Sequence, residues 1–270
     1  MNTRSKSNVL IVGSGGREHA LGWKIRKSKH VENLYFAPGN GGTSVNIDID
    51  ANEFGKLKLF AKQKSCLTIV GPETPLSRGV VDLFFESGIS VFGPTKAASK
   101  LEASKSFAKK FMNNNGIRTA EYSCFSDADK AKDYVVRQAK KMVVKADGLA
   151  SGKGVFVCNT TEEALSAVDL LMTQKKFGSA GNRIVVEERL QGEEVSFIGL
   201  SDGKTVIPLA SSRDHKRLFD NDKGPNTGGM GSYSPAYIID DRLHKEIMHQ
   251  IMKRTVDGMR HVGTPLVGYI

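Results

Sequence analysis

The sequence predicts an α/β region with a parallel sheet, followed by an α+β region. Over residues 8–103, short apolar runs alternate with amphipathic stretches, and such alternation implies parallel βαβ units with both faces of the sheet covered. Residues 121–190 then mix helical and strand patterns in a compact unit. From Glu194 onwards the pattern is typical of antiparallel hairpins.

Four apolar runs in the first region have the length of strands, and a glycine or proline turn follows each of them. Amphipathic helices are expected between them, over residues 17–28 and 80–88. Ligands of open α/β sheets bind at the carboxyl ends of the strands, so these turns are candidate binding segments. The runs are residues 9–12, 34–37, 67–70 and 89–92.

The second region opens with a predicted helix over residues 104–115, which Gly116 ends. Two later helices begin with the spacing of a capping box, Ser126-x-x-Asp129 and Thr160-x-x-Glu163. The remaining predicted elements are strands over residues 142–145, 154–157 and 183–187, a hairpin of residues 195–200 and 205–209, a polar glycine-rich loop over 211–235, and a helix over about 240–260.

The composition indicates small anionic substrates. The chain has 270 residues and a formal net charge of +10, from 39 Lys and Arg against 29 Asp and Glu, which suits nucleotides and sugar phosphates. Nucleic acid is not expected as the main partner, because the lysines are scattered and no aromatic residues interleave with a basic stripe. Three separated cysteines, Cys66, Cys124 and Cys158, favour a reducing cytoplasm over a disulfide framework or a zinc site. No apolar run has the length of a membrane span.

Residues 144–155, here named the lysine loop, form the strongest single motif. Three glycines in seven residues let the backbone approach a ligand closely, and their N–H groups can cradle phosphate oxygens. Lys145 and Lys153 add two positive charges for the same phosphates. A Walker A spacing is absent, and a strand follows the loop where a P-loop would lead into a helix. The alternative is a glycine-rich hairpin with solvated lysines. The three glycines are Gly148, Gly152 and Gly154.

An acidic cluster follows about forty residues later. Four glutamates in eight residues repel one another unless cations or ligand hydroxyls engage some of them. In isolation the cluster fits an acidic turn on a basic protein, whereas together with the lysine loop it fits a nucleotide clamp. The four are Glu187, Glu188, Glu193 and Glu194.

The order of motifs is a strand, a lysine, a glycine-rich loop and a second strand, followed by Glu-Glu-x-Leu-x-Gly-Glu-Glu. This order resembles the ATP-grasp fold, in which two α+β subdomains hold ATP between them. The resemblance implies that Lys145, Lys153 and Lys105 contact phosphates beside the loop glycines. It also implies that Glu187 and Glu188 line the adenine side and that Glu194 meets the ribose. For Lys105 the alternative is a solvated helix lysine.

Five further segments are similar to the phosphoribosylamine–glycine ligase family of ATP-grasp enzymes. They occur in the family's order over nearly the whole chain. The alternative for the last of them is a disordered loop. The segments are residues 13–20, 38–40, 70–73, 92–95 and the stretch from Asp214 through Arg217 to the Gly-Pro-Asn-Thr-Gly-Gly-Met-Gly run at 224–231.

This resemblance implies a two-step ligation that uses ATP with Mg²⁺ or Mn²⁺. ATP would phosphorylate the carboxylate of glycine, and the amine of phosphoribosylamine would then displace phosphate. Asp214, Lys216 and Arg217 are the expected catalytic residues, with Asp214 and Lys216 orienting the glycine. The expected substrate-binding residues are Gly15, Gly16, Arg17, Glu18, Pro38, Gly39, Asn40, Glu73, Asp214, Asn226, Thr227 and Gly228.

The turn after the first predicted strand has a second interpretation. Gly13-x-Gly15 suggests a dinucleotide site, but Glu18 stands where the third glycine of that motif is expected. What remains is a helix N-terminus suited to an anion, with Arg17 beside it. The alternative is a Rossmann-type turn used only for close packing.

The resemblance implies a Rossmann-like domain over residues 1–103 and an ATP-grasp domain over 104–270. Within the latter, residues 121–190 would form the small subdomain, and 104–120 with 191–270 the larger one. The family's metal ligands lie in a segment expected beyond Ile270, so we expect a fragment without the metal site and without activity of its own. Another ATP-grasp ligase, a non-catalytic nucleotide-binding remnant and a dinucleotide dehydrogenase remain alternatives. A monomer or weak dimer is expected.

Overall fold

The computed structural model describes residues 6–150, 152–221 and 223–270. They form two compact units. The first contains the described residues up to Ser99 together with Leu266–Tyr269, and the second contains Lys100–Pro265 with Ile270. In this described part of the chain, no helix is long and apolar enough to cross a membrane.

The first unit is a parallel sheet with helices, which confirms the predicted α/β region. Its four strands lie in the order β2-β1-β3-β4, and every pair is parallel. The elements are β1 (Ser7–Gly13), α1 (Gly16–Ile25), β2 (Val31–Pro38), α2 (Phe54–Gln63), β3 (Cys66–Val70), α3 (Glu73–Ser77), α4 (Val80–Glu86) and β4 (Val91–Phe92).

Both faces of this sheet are buried. Alternate residues of β1 point to opposite faces, so Leu10 joins one apolar cluster with Phe84, and Ile11 joins another with Phe36. Burial of each such large side chain contributes about 1.5–3 kcal/mol. Helix α1 packs closely because Gly22 faces the Phe36 ring, which any side chain at that position would meet.

The second unit begins with helices and contains an antiparallel sheet. Its elements are α5 (Lys100–Ala103), α6 (Lys105–Asn114), β5 (Tyr122–Phe125), α7 (Ala128–Gln138), β6 (Met142–Ala146), β7 (Val155–Cys158), α8 (Thr161–Val168), β8 (Ile184–Glu188), β9 (Gly199–Asp202), β10 (Val206–Pro208), β11 (Arg213–Asp214), β12 (Arg217–Phe219), β13 (Lys223–Asn226), β14 (Ser232–Tyr233), α9 (Asp241–Ile247) and α10 (Lys253–His261). The last strand of the chain, β15 (Val267–Tyr269), belongs to the first unit.

The four-stranded sheet of the second unit has the order β5-β8-β6-β7. Val144 and Val186 pair across β6 and β8 and belong to the apolar cluster that also contains residues of α7 and α8. Because side chains alternate along a strand, Lys145 and Glu187 lie on the opposite face. Strand pairing therefore places a predicted phosphate lysine beside a predicted adenine-side carboxylate.

One of the two predicted helix caps needs correction. Helix α7 is capped by Asp127, whose side chain accepts from the Lys130 N–H at 3.0 Å, and not by Ser126 one residue earlier. The predicted cap at Thr160 is confirmed, since its hydroxyl accepts from the Glu163 N–H at 3.2 Å.

The last two segments also differ from the expectation. The loop predicted over residues 211–235 contains two short antiparallel pairs, β11 with β14 and β12 with β13. The final helix is continuous from α9 to α10, but it passes through a π-helical turn at Met248–Met252.

Candidate functional site

The carboxyl ends of β1, β2 and β3 bring three predicted substrate-binding turns together in the first unit. The Gly39 N–H donates to the Gly13 carbonyl at 3.2 Å, so the turn of Pro38 and Gly39 lies against the end of β1. The Asn40 amide donates to the Ser14 carbonyl at 3.0 Å. Gly16 begins α1, and a Cβ added there would meet open space.

Glu18 is buried between these turns, with 4% of its surface exposed. Its carboxylate accepts from the Gly15 N–H at 2.7 Å, so one amide expected to face an anion already has an acceptor. A side chain at Gly71 would collide with the same carboxylate. Glu18 thus caps its own helix and packs against two turns, which gives it a structural role beside the predicted substrate contact.

Arg17 and Glu73, both predicted to bind substrate, form a charged pair. The guanidinium donates to the Gly71 carbonyl at 2.7 Å and to Glu73 Oε1 at 2.8 Å. Burial alone would lower the pKa of Arg17, but the hydrogen bond and charge of Glu73 raise it overall. Burial alone would raise the pKa of Glu73, but Arg17 holds it below its usual value. The pair is therefore ionised at neutral pH.

In the second unit, the glycines of the lysine loop occupy positions that restrict a side chain. A Cβ at Gly148 would lie 2.9 Å from the Ala180 Cα, and one at Gly154 would lie 2.8 Å from the Ala150 Cβ. Gly152 adopts a φ of +73°, which favours glycine. Lys153 is exposed next to it, whereas Ser151 lies outside the described residues.

Asp147 attaches the lysine loop to the start of helix α6. Its carboxylate accepts from the Ser106 N–H at 2.6 Å and from the Ser104 hydroxyl at 3.2 Å. In return, the Lys105 ammonium donates to the Gly148 carbonyl at 3.2 Å. Burial lowers the pKa of Lys105, and the nearby charge of Lys145 acts in the same direction. The predicted phosphate lysine Lys105 is therefore held at the loop.

Glu187 lies between two lysines at the centre of the sheet. Its Oε1 forms an ion pair with Lys145, and its Oε2 lies 2.5 Å from the Lys109 ammonium. Oε2 has no hydrogen-bond partner of suitable geometry among the described residues. The Glu187 and Lys109 side chains are only 7% and 10% exposed, whereas Lys145 is 26% exposed. Only Lys145 of the three presents a substantial surface to solvent.

The other glutamates of the acidic cluster also have partners within the chain. Glu188 accepts from the Glu121 N–H at 3.1 Å. Glu193 pairs with Arg213, and Glu194, predicted to meet the ribose, pairs with Lys216. The repulsion expected among four neighbouring carboxylates is relieved in this way, and the last pair brings a predicted ATP residue together with a predicted catalytic residue.

The remaining predicted site residues lie in a segment whose backbone forms two short antiparallel strand pairs, β11 with β14 and β12 with β13. Asp214 on β11 pairs with Ser232, and the Arg217 guanidinium donates to the Gly224 carbonyl at 2.7 Å. The Thr227 hydroxyl donates to the Lys216 carbonyl at 3.0 Å. A Cβ added at Gly228 would meet open space. The Asn226 backbone pairs with Arg217, but its side chain lies outside the described part of the structure.

Two residues at these sites, Lys109 and Asp147, were not predicted from sequence. For Lys109 a signal existed, because it lies four residues after Lys105 and therefore on the same side of helix α6. For Asp147 the only signal was its position inside the lysine loop.

Comparisons with known proteins identify the family of the chain. The family described as "Phosphoribosylglycinamide synthetase, N domain" matches residues 7–102, and "Phosphoribosylglycinamide synthetase, ATP-grasp (A) domain" matches residues 103–270. The chain is 51% identical over 269 residues to a phosphoribosylamine–glycine ligase of Vibrio vulnificus and 50% identical over 269 residues to one of Yersinia pestis. Each match covers 97% of this chain and 63% of the relative, so the chain spans less than two thirds of their length.

Solved structures give the same result. The phosphoribosylamine–glycine ligase of Thermotoga maritima superimposes with a TM-score of 0.82 at 34% identity, covering 97% of this chain and 63% of the other. A biotin carboxylase of Campylobacter jejuni shares the fold, with a TM-score of 0.71 at 15% identity, covering 97% and 61%. A parallel-sheet domain followed by an ATP-grasp fold is thereby confirmed, and the chain belongs to the phosphoribosylamine–glycine ligase family of ATP-grasp proteins.

Proposed function

We propose that this chain contributes to the ATP-dependent joining of glycine to 5-phosphoribosylamine, which yields glycinamide ribonucleotide, ADP and phosphate. The relatives at about half identity bear the name of that reaction. The observation on which the proposal rests is a pair of lysines at the lysine loop: Lys145 pairs with a carboxylate oxygen of Glu187, and Lys105 donates to the Gly148 carbonyl. Partly buried cations beside a glycine-rich loop suit a triphosphate.

The chemistry requires activation of a carboxylate. The carboxylate oxygen of glycine attacks the γ-phosphorus of ATP, the bond to the bridging oxygen breaks, and ADP leaves. The resulting glycyl phosphate has a leaving group that the free carboxylate lacks. The amine of phosphoribosylamine then attacks the carbonyl carbon, loses a proton and displaces phosphate. Catalysis of phosphoryl transfer depends mainly on positioning and charge neutralisation.

For ATP, we assign the phosphates to three lysines and to the backbone of Gly148, Gly152 and Gly154. The lysines are Lys105, Lys145 and Lys153. We assign the adenine side to Glu187 and Glu188 and the ribose to Glu194. The support is that pairing and hydrogen bonds hold Lys105, Lys145 and Glu187 around one loop.

For the other substrates, we assign the glycine to Asp214 and Lys216, with Arg217 as the third catalytic residue and residues 226–228 beside them. We assign the phosphate of phosphoribosylamine to the turns around Arg17 and Asn40, whose polar groups meet at the carboxyl ends of parallel strands.

A divalent metal, Mg²⁺ or Mn²⁺, is implied by the ATP-grasp family. In the described part of the chain, no group of three or more His, Cys, Asp or Glu side chains could hold such a metal ion. The described residues are 6–150, 152–221 and 223–270. The described side chains therefore do not fit a metal site.

We also propose a cytoplasmic location, because Cys66, Cys124 and Cys158 are all free thiols. The expectation of a monomer or weak dimer stays a prediction.

Equilibrium titration with ATP tests the nucleotide assignment. We expect the chain to bind ATP, and we expect Lys145→Met to weaken binding at least about tenfold, since a partly buried cation contributes about 1.4 kcal/mol or more to an anion. Lys141→Met is the matched control, because Lys141 is exposed just before the same strand. No ATP binding by the unchanged chain would refute the proposal.

A second assay measures the release of ADP with glycine and phosphoribosylamine added singly and together. ADP release that requires both compounds supports the ligation. ATP binding without any turnover favours a nucleotide-binding part that does not act alone. Turnover with a different acid and amine favours another ATP-grasp ligase.

A further inference from the structure

Lys109 is a buried cation that the proposed function does not use. Its residue is 8% exposed, although it sits on helix α6 one position before the exposed Lys110. Its ammonium donates to the Thr119 hydroxyl at 2.8 Å and to the Ala120 carbonyl at 3.4 Å, and it lies 2.5 Å from Glu187 Oε2. A lysine is rarely buried unless it is paired, because removing an ammonium from water is strongly unfavourable.

The three ionised side chains have a defined charge balance. Lys109 and Lys145 each contribute one positive charge and Glu187 one negative charge, so the cluster has a net charge of +1. The Lys145 side chain is the most exposed of the three, at 26%, while the other two side chains are almost completely buried. An anion in solution can therefore reach Lys145, whereas the Lys109 ammonium is almost enclosed and pairs with Glu187.

We propose that Lys109 is a positioning residue for nucleotide binding. It neutralises Glu187, so that Glu187 holds the Lys145 ammonium in place without cancelling its charge toward a triphosphate. This inference rests on the proposed function, since it takes ATP as the anion that meets Lys145.

The expected size of the effect follows from electrostatics. Without Lys109 the cluster is neutral, and a charge removed from a partly desolvated site near a polyanion weakens binding about 10- to 30-fold. Adenosine lacks the phosphates, so its affinity should change little. A residue that merely supported the fold would affect both ligands alike.

The experiment measures ATP and adenosine affinities for the full chain and three variants. Lys109→Met removes the charge, and Lys109→Arg keeps it. Lys110→Met is the matched control, since it removes an exposed lysine from the same helix. Should Lys109→Met fail to fold, Lys109→Gln provides a neutral side chain that still bonds Thr119 and Ala120.

We expect Lys109→Met to lose ATP affinity about 10- to 30-fold relative to adenosine, and Lys109→Arg to recover most of it. An equal loss for both ligands, or no loss in a folded neutral variant, overturns the role of Lys109 while the proposed function stands. If the unchanged chain binds no ATP, both proposals are overturned.

Discussion

The two units place charged side chains in very different surroundings. In the first unit, Arg17 and Glu73 pair at the ends of the strands, with side chains 53% and 45% exposed. In the second, Glu187 and Lys109 pair at 7% and 10% exposure. Water and salt screen the first pair, whereas the second has exchanged water for protein partners, so that each charge depends on the others. Removal of one partner should therefore lower the free energy of unfolding more in the second unit than in the first.

The largest effect is expected from Glu187→Gln. This change leaves Lys109 buried without a counter-charge, and removal of one partner from a buried pair costs about 3–5 kcal/mol. Urea unfolding, followed through alkylation of the buried Cys158, measures the loss. Glu194→Gln is the control, because its partner Lys216 is 39% exposed and the pair should contribute little. Equal stability of the two variants would contradict the comparison.

An intermediate effect is expected from Asp147→Ala. The carboxylate accepts from the Ser106 N–H in the first turn of α6, and the loss of such a cap costs about 0.5–2 kcal/mol. Asp147→Asn keeps an acceptor and should recover most of the stability in the same urea experiment. Failure of the asparagine to improve on alanine would show that charge, and not capping, is what matters.

A smaller effect is expected from Arg17→Met. The Arg17–Glu73 pair is about half exposed, so its contribution to the free energy of unfolding should be within about 1 kcal/mol. Unfolding is followed here through Cys66, which is buried in the first unit. A loss comparable to that of Glu187→Gln would mean that exposure does not decide the cost.

The smallest difference between the units is expected at alkaline pH. Burial raises the pKa of both Cys66 and Cys158 to about 11 from 9.0. A thiol whose pKa is higher in the folded state stabilises that state below pH 9, and the contribution is lost as the pH rises through 11. The urea midpoint of unfolding should fall as the pH is raised from 9.0 to about 11. The fall should be equal whether unfolding is followed through Cys66 in the first unit or through Cys158 in the second. A fall confined to one of them would contradict this symmetry.

Much of the fold was predictable because it follows from local patterns. Apolar runs with intervening amphipathic helices predicted the parallel strands, and glycine turns predicted which strand ends come together. The first residue of a helix is harder to predict where two neighbouring residues can both cap it. Asp127 caps α7 next to Ser126, and both residue types are good caps.

The candidate site was only partly predictable. Lys145 stands out because it precedes a glycine-rich loop, whereas Lys105 was expected only from the family resemblance; the roles of both toward ATP stay predictions. The spacing of Lys109 from Lys105 was a weak signal, since a lysine on a helix is usually solvated and the burial of Lys109 depends on how α6 packs against β8. The short pairs β11–β14 and β12–β13 depend on contacts between residues that propensity alone does not link.

Glu18 gives the first unit a property that no single turn would have. Its carboxylate accepts from the Gly15 N–H and fills the space beside Gly13 and Gly71, so the turns after β1 and β3 close around one side chain. A displacement of either turn must disturb the other, because the Glu18 side chain touches both. The two turns are therefore coupled through Glu18, and a substitution that moves one of them should require a compensating change in the other.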